Sequence, residues 1–179
     1  MAKMYVMCGV PGSGKSTFVK DFAGHLSSRY HIISRDEIRF KLLDMKEDKS
    51  ADYFSCEDEV ENLFYTAIFN SIQNEVDCFV DATHINKKSR RKLFKKLLDI
   101  NKDNFELGFF RPEEVIAIYF EKDLETCLKN NHKRSGRALV PDYVIKNMYN
   151  SYERPLISEG FDWVMDANTL ITTYLKEGI

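Results

Sequence analysis

The chain of 179 residues carries a formal net charge of −2, and its residues are 44% hydrophobic and 30% charged. These values are typical of one globular domain over residues 1–179, and they exclude a wholly disordered chain or a polycation. The sequence has no apolar run of about 18 residues and no long apolar leader before Gly9, so it predicts neither a transmembrane helix nor a signal peptide. Its four cysteines are far apart and form no zinc-type cluster with histidines, so we expect no disulfide framework and no zinc site.

The first half of the chain alternates short apolar runs with amphipathic segments. Short apolar runs predict strands, and apolar positions spaced by three and four predict helices. The predicted strands cover residues 4–8, 31–34 and 78–81, and the predicted helices cover residues 16–27, 36–44 and 57–74. The charged segment 45–52 lacks periodicity and is predicted to be a loop.

The second half continues this alternation. Helices are predicted from an Asn86 cap to about residue 101, around residues 124–128, and from Pro141 to about residue 152. Strands are predicted at residues 115–120 and 161–165, while residues 104–114 are ambiguous and the last dozen residues are expected to form a strand or a helix. The whole pattern predicts an α/β fold, a three-layer sandwich with a parallel, about five-stranded sheet that helices cover on both faces.

Residues 9–16 match the phosphate-binding pattern G-x-x-x-x-G-K-[ST] at every fixed position, between a predicted strand and a predicted helix. Glycines let successive backbone N–H groups turn toward phosphate oxygens, and the helix adds the partial positive charge of its N-terminus. Lys15 would reach the β- and γ-phosphates, and the Ser16 hydroxyl would bind Mg²⁺. We therefore predict a site for a nucleoside triphosphate, ATP being the expected donor, together with Mg²⁺. The predicted nucleotide-binding residues are Gly9, Val10, Pro11, Gly12, Ser13, Gly14, Lys15, Ser16 and Thr17.

The predicted second strand ends in the sequence SRDEIR at residues 34–39. Residues that follow a strand of a parallel sheet border the ligand crevice, which places Asp36 near the phosphate loop. Its carboxylate could accept the proton of an attacking hydroxyl group, and Arg39 could hold an anionic part of the acceptor. On spacing alone, Asp36 could equally cap a helix and Arg39 could lie on the surface.

Two further segments carry charged residues suited to a phosphate site. Asp81 ends the predicted third strand, where a carboxylate could contact Mg²⁺ directly or through water, or simply cap a turn. The segment of residues about 131–141 is basic and contains Gly136, and it could close as a lid that neutralises phosphate charge. Its arginines are Arg134 and Arg137; a solvated basic loop is the alternative interpretation.

The predicted helix after Asp81 carries a run of basic residues that could follow a phosphate backbone, or could merely be the solvated face of the helix. Residues 47–61 are correspondingly acidic, so the charge of the chain is polarised. The basic residues are Lys87, Lys88, Arg90, Arg91, Lys92, Lys95 and Lys96.

Four blocks of the chain together resemble the phage-type polynucleotide 5′-hydroxyl kinases and their bacterial relatives. They are residues 9–17, 34–39, 80–83, and 133–141 with the helix that follows, so the resemblance runs from residue 4 to about residue 152. The first block is common to many unrelated nucleotide hydrolases. The second and fourth blocks together are more specific.

The resemblance implies a P-loop kinase that transfers the γ-phosphate of ATP to the 5′-hydroxyl end of DNA or RNA. It implies that Asp36 is the general base and that Arg39 binds the neighbouring phosphate of the acceptor. It also implies action in the cytoplasm of a bacterium, by a bacterial or a phage-encoded protein.

The same resemblance assigns the donor side of the site. Lys15 and Arg134 would contact the transferring phosphate from opposite sides, and Arg137 would be a further, weaker lid candidate. Ser16 and Asp81 would bind the metal ion.

The sequence departs from that family at His84, where the family often has Asn. A polar turn histidine is expected there rather than a catalytic one. Some relatives carry a fused phosphatase, but no Asp-x-Asp-x-Thr motif occurs in this sequence, so no 3′-phosphatase activity is expected.

Two other functions remain open at this point. Related small kinases phosphorylate nucleosides, sugars, antibiotics or an aminoacyl group on tRNA, and such small acceptors need an enclosed pocket rather than an open groove. A nucleotide-dependent switch without an acceptor is the other alternative, although it would leave Asp36, Arg39 and the basic lid unexplained.

Overall fold

Five parallel strands form a central sheet in the order β2-β3-β1-β4-β5. The computed structural model describes residues 1–26, 28–45, 53–103 and 111–170. The strands are β1 (Lys3–Cys8), β2 (Tyr30–Ser34), β3 (Asp77–Asp81), β4 (Glu114–Tyr119) and β5 (Trp163–Asp166). This architecture confirms the α/β three-layer sandwich with a parallel sheet that the sequence predicts.

Among the residues that the structure describes, residues 167–170 are helical, and six longer helices connect and cover the strands. They are α1 (Lys15–Ala23), α2 (Arg35–Met45), α3 (Glu57–Gln73), α4 (Lys87–Asp103), α5 (Leu124–Asn131) and α6 (Asp142–Asn150). Because each parallel connection crosses one face of the sheet, the helices can bury both faces. Within the described residues, none of the helices combines the length and the apolar character that a bilayer span requires.

The central strand β1 contributes to the two cores that flank the sheet. Met4, Val6 and Cys8 pack with residues of α3 and α4 on one face of the sheet. Tyr5 and Met7 point the other way and pack with α1, where the ring of Tyr5 also stacks on Phe79 with the ring centroids 4.7 Å apart. A strand buried on both faces explains the continuous apolar sequence of residues 4–8.

Most differences from the predicted elements occur at helix ends. Helix α1 ends at Ala23 instead of residue 27, because Gly24 has a low helix propensity and the N–H groups of His25 and Leu26 bond three residues back. Pro141 is the cap of α6 rather than its first residue, and the helix ends at Asn150. Residues 46–52, most of the ambiguous segment 104–114, and the last nine residues lie outside the described part of the chain.

The carboxyl ends of the strands bring the predicted site residues to one edge of the sheet. Ser34, which ends β2, pairs in register with Asp81, which ends β3. Strand β1 lies beside β3 and leads directly into the phosphate loop. The topology therefore positions the segment with Asp36, the phosphate loop and Asp81 side by side.

Candidate active site

The phosphate loop is shaped by two glycines that have positive φ angles. Gly12 has φ 81°, and a Cβ atom there would lie 2.2 Å from the carbonyl oxygen of Cys127 in α5. Gly14 has φ 100°, and no heavy atom lies within 4 Å of the position a Cβ would take. Gly12 is therefore required for packing, whereas Gly14 is required for the backbone conformation and leaves open space at the mouth of the loop.

Lys15 lies folded back under the loop. Its Nζ donates a hydrogen bond to the carbonyl oxygen of Val10 at 2.9 Å, and the residue is only 8% exposed. Burial lowers the pKa of Lys15 to about 8; Asp81 and Asp36 raise it, and Arg134 lowers it. Asp36, Asp81 and Arg134 are thus the charged residues that act on Lys15 in the free protein; their roles toward a bound nucleotide stay predictions.

Ser16 and Asp81 are in direct contact. The Ser16 hydroxyl donates to Oδ2 of Asp81 at 2.8 Å, and burial raises the pKa of the Asp81 carboxyl. A hydroxyl and a carboxylate are the oxygen ligands that Mg²⁺ uses in nucleotide sites, where water and phosphates complete the coordination. The described residues contain no group of three or more His, Cys, Asp or Glu that could hold a metal by themselves. The pair therefore fits Mg²⁺ that arrives with a nucleotide.

Ser13 adds an unsatisfied polar group to the loop. Its hydroxyl oxygen is buried and has no hydrogen-bond partner among the described residues. A buried polar group without a partner is unfavourable. A phosphate oxygen bound in the loop would supply that partner.

Asp36 occupies the first turn of α2 and is held by two side chains. Its Oδ1 accepts hydrogen bonds from Nη1 of Arg39 at 2.7 Å and from the hydroxyl of Tyr53 at 3.0 Å. The Asp36 side chain is nevertheless 64% exposed, whereas that of Arg39 is 5% exposed. Asp36 is thus an oriented but accessible carboxylate at the carboxyl end of β2.

Arg39 is buried by partners that the sequence analysis did not identify. Glu57, the first residue of α3, accepts from Nη2 and Nε of Arg39 at 2.7 and 3.3 Å, and the Tyr53 ring lies 4.6 Å from the guanidinium. Arg39 therefore lies beside Asp36, as predicted, but its guanidinium is engaged inside the protein rather than displayed to an acceptor phosphate. Glu57 follows Arg39 by 18 residues, and its only sequence signal was membership of an acidic segment.

The segment after α5 is the one that the sequence suggests as a lid, and that role stays a prediction. Asn130 donates to the carbonyl oxygen of Gly12 at 3.0 Å, which attaches the end of α5 to the phosphate loop. The buried amide of Asn131 bonds to both the N–H and the carbonyl group of Val140 and so closes the lid segment at its base. Arg134 is exposed within this segment.

Arg137 is placed differently from Arg134. Its Nη1 donates to Asp44 near the end of α2 at 2.9 Å. This ion pair joins the lid to the helix that carries Asp36. Its contact with a transferring phosphate remains a prediction.

Hydrogen bonds to β1, to the phosphate loop and to α4 fix the loop after β3. The carbonyl oxygen of Thr83 accepts from the N–H of Gly9 at 2.9 Å. His84 is 7% exposed, has φ 36°, and its Nδ1 lies 3.2 Å from the carbonyl oxygen of Met7. The fully buried Arg90 bonds to the carbonyl oxygen of His84 at 3.1 Å and pairs with Glu159 at 2.8 Å. His84 is thus a turn residue, as the sequence analysis expected.

The remaining predicted loop residues differ in burial. Val10 packs with Cys127 and Ile145 in a small core beneath the loop. Pro11 is buried, while Thr17 is exposed on α1.

Comparison with known proteins identifies both the family and the fold. A family model described as AAA domain matches residues 4–155. The L-seryl-tRNA(Sec) kinase of Methanococcus maripaludis is 27% identical over 175 residues, which cover 95% of this chain and 59% of that protein. The chain therefore spans less than two thirds of the length of this curated relative.

Solved structures share the fold at lower identity. A chain of the Pnkp1/Rnl/Hen1 RNA repair complex superposes with a TM-score of 0.59 at 21% identity, over 84% of this chain and 43% of that one. Kti12 of Chaetomium thermophilum in complex with ADP-AlF3 superposes with a TM-score of 0.64 at 14% identity, over 97% of each chain.

Proposed function

This chain belongs to the AAA domain family, and we propose that it is a kinase that transfers the γ-phosphate of ATP to the 5′-hydroxyl end of a polynucleotide. The observation that carries the proposal is the state of Asp36. Its carboxylate is exposed, hydrogen-bonded to Arg39 and Tyr53, and close enough to Lys15 to influence its pKa. A nucleotide switch without an acceptor would leave this oriented base beside the phosphate loop unexplained.

The described side chains suit each part of a phosphoryl transfer. Asp36 accepts the proton of the 5′-hydroxyl group while the oxygen of that hydroxyl bonds to the γ-phosphorus. The bond between the γ-phosphorus and the oxygen that bridges it to the β-phosphate breaks, which leaves ADP. Lys15 and Arg134 neutralise negative charge on the transferring group from the loop and from the lid. Ser16 and Asp81 would hold Mg²⁺, which supplies charge neutralisation on the phosphate oxygens.

The exposure of Asp36 favours a large acceptor. Small-molecule kinases bury most of the substrate surface in an enclosed pocket. With 64% of the Asp36 side chain exposed, only the end of an acceptor needs to enter the site, and its body can remain on the surface. A polynucleotide end satisfies this requirement better than a free sugar or nucleoside.

A second acceptor has its own support. Similarity to L-seryl-tRNA(Sec) kinase extends over 95% of this chain. The hydroxyl of a seryl group on tRNA is also the end of a large polyanion, and the same catalytic residues would serve it. The small-molecule kinase stays the less favoured alternative.

The test is a labelling experiment. The full chain is incubated with γ-labelled ATP, Mg²⁺ and a 20-nucleotide strand that has a 5′-hydroxyl, with a 5′-phosphorylated copy as the control. We expect label only on the 5′-hydroxyl strand. Asp36→Asn should lower the rate by about 10²- to 10⁴-fold while ATP still binds. The matched variant is Glu37→Gln, which removes a neighbouring exposed carboxylate and should retain full activity.

Two results would overturn the polynucleotide acceptor. The first is label on seryl-tRNA that is released together with the amino acid by mild alkaline deacylation. This result would identify the seryl group as the acceptor. No label on DNA, RNA or seryl-tRNA, with ATP binding intact, would leave a small-molecule kinase as the better hypothesis.

A further inference from the structure

The basic residues of α4 divide into separate groups in the structure. Arg90 is fully buried against Glu159. Lys92 and Lys96 pair with Glu61 of α3 at 2.5 and 3.0 Å. Arg90 is thus used inside the protein, and the single carboxylate of Glu61 offsets part of the charge of Lys92 and Lys96. The run of charge in the sequence is therefore partly reduced at the surface.

The first turns of α4 have a different environment. Lys87, Lys88 and Arg91 are exposed and line a cavity of about 470 Å³ between the start of α4 and the end of α6. No ion pair within 4.0 Å involves the side chains of these three residues in the described structure. The other residues that line the cavity are Asn86, Asn150, Ser151, Tyr152 and Glu153.

We infer that this cavity, here called the α4–α6 groove, binds the phosphodiester backbone of the nucleic acid whose end is phosphorylated. The inference rests on the proposed function and adds to it the path of the strand outside the catalytic site. Two lysines and an arginine supply the charge for phosphate groups. The side-chain amide N–H groups of Asn86 and Asn150 can donate neutral hydrogen bonds of the kind that position a backbone.

The placement of the groove on the fold supports this path. Lys87 follows Asp81 by six residues, so its Cα lies at most about 20 Å from that of Asp81. A strand advances about 3.4 Å per nucleotide in a duplex. A strand that starts at the catalytic site therefore needs no more than about six nucleotides to reach the groove.

The charges around the α4–α6 groove favour binding of a polyanion over binding of an isolated anion. Residues Lys87 and Arg91 are four positions apart and so lie on the same side of α4, next to Lys88. Glu153 is the one carboxylate that lines the groove, and it is engaged with the backbone N–H of Lys87 at 2.8 Å. At the start of α3, the exposed carboxylates of Asp58 and Glu59 would repel a nucleic acid. The asymmetry directs a strand toward α4.

The experiment measures binding separately from catalysis. Lys88→Gln and Arg91→Gln are combined in the full chain, and the control combines Lys20→Gln on α1 with Lys102→Gln in the last turn of α4. Both pairs are exposed and remove the same charge. Fluorescence anisotropy of a 20-nucleotide strand without ATP gives Kd between 50 and 200 mM salt.

We expect the groove variant to weaken binding about tenfold and to reduce the slope of log Kd against log salt by about 1.4, since each lost phosphate contact on a single strand contributes about 0.7. Its KM for the 20-nucleotide acceptor should rise similarly, while its kcat and its KM for a nucleoside 3′-phosphate stay unchanged. The control variant should match the unmodified chain. Equal losses in both variants, or none in the groove variant, would overturn the inference.

Two further outcomes separate this inference from the proposed function. The unmodified chain could bind the strand in a salt-dependent way, lose that binding in the groove variant, and yet show no kinase activity on any strand. This result would support the groove as a binding site and reject the proposed reaction. Kinase activity together with unchanged strand binding in the groove variant would support the proposed reaction and reject the groove as the binding site of the strand. Polyglutamate serves as a control polyanion. If it binds as tightly as the strand and its binding is weakened equally in the groove variant, the groove is a general anion surface and the assignment to nucleic acid is overturned.

Discussion

Nη1 of Arg39 donates to Oδ1 of Asp36 at 2.7 Å, while the rest of the guanidinium is fixed by Glu57. The orientation of the proposed base therefore depends on a carboxylate at the start of another helix. In this arrangement we expect Arg39 to act through Asp36, as a positioning residue. Direct contact between Arg39 and an acceptor phosphate would require the guanidinium to leave these partners.

This relationship predicts the effect of Glu57→Gln. Loss of the charged partner should loosen Arg39 and Asp36 and lower kcat by about tenfold, which corresponds to roughly 1.4 kcal/mol of transition-state stabilisation. KM for the acceptor should change little. Steady-state kinetics with the 5′-hydroxyl strand measure both constants. Glu59→Gln, two residues along α3 and exposed, is the matched control.

The same measurement distinguishes the two roles of Arg39. If Arg39 held the acceptor phosphate, Arg39→Ala would raise KM for a nucleoside 3′-phosphate and abolish its advantage over a plain nucleoside. A positioning residue instead lowers kcat on both acceptors to a similar extent.

The sequence predicted those parts of the site that lie close together along the chain or directly follow strands. The phosphate loop, Asp36 and Asp81 all follow strands of one parallel sheet, so their meeting at one edge was predictable from the alternation of strands and helices. Glu57 and Tyr53 could not be assigned, because their contacts with Arg39 depend on how α3 and the turn before it pack against α2. The same holds for the contact of Arg137 with Asp44, which are 93 residues apart.

Lys15 should make nucleotide binding depend on pH above about 8. Burial lowers its pKa to about 8 in the free protein, and phosphates raise it again because they favour the charged form. Below pH 8 the lysine is already protonated, so binding takes up little proton. Above pH 8 the free lysine is neutral, so binding takes up close to one proton, and Kd for ATP should rise by up to tenfold per pH unit.

Calorimetry in buffers with different ionisation heats measures this proton uptake. Titrations at pH 7 and pH 9 should differ by nearly one proton. Lys15→Arg keeps its charge at both pH values and should remove the difference. Equal uptake by the unmodified chain at the two pH values would contradict the assignment.

His84 should be replaceable by Asn. Burial lowers the pKa of His84 to about 4, so the imidazole is neutral at physiological pH and cannot act as a general acid there. Its φ of 36° lies in the left-handed region, which Asn tolerates better than most residues. His84→Asn should therefore retain kcat within about threefold.

The pH–rate profile provides the readout for His84. Neither the unmodified chain nor His84→Asn should show an inflection that belongs to this histidine between pH 5 and 8. An inflection near pH 6.5 that disappears in the variant would assign His84 a role in proton transfer.

The two lid arginines should differ strongly in their contribution to catalysis. Arg134 is exposed and acts electrostatically on Lys15, so Arg134→Ala should lower kcat by about 10³-fold, as expected for an arginine that stabilises the transferring group. Arg137 is paired with Asp44 at 2.9 Å. Because this pair is partly exposed, Arg137→Ala should lower kcat by less than about tenfold, through weaker closure of the lid.

Asp44→Ala should lower kcat by the same small amount. Combining it with Arg137→Ala should lower kcat no further, since each variant breaks the same contact. A loss for Arg137→Ala that matches Arg134→Ala, with Asp44→Ala fully active, would instead place Arg137 on the transferring phosphate.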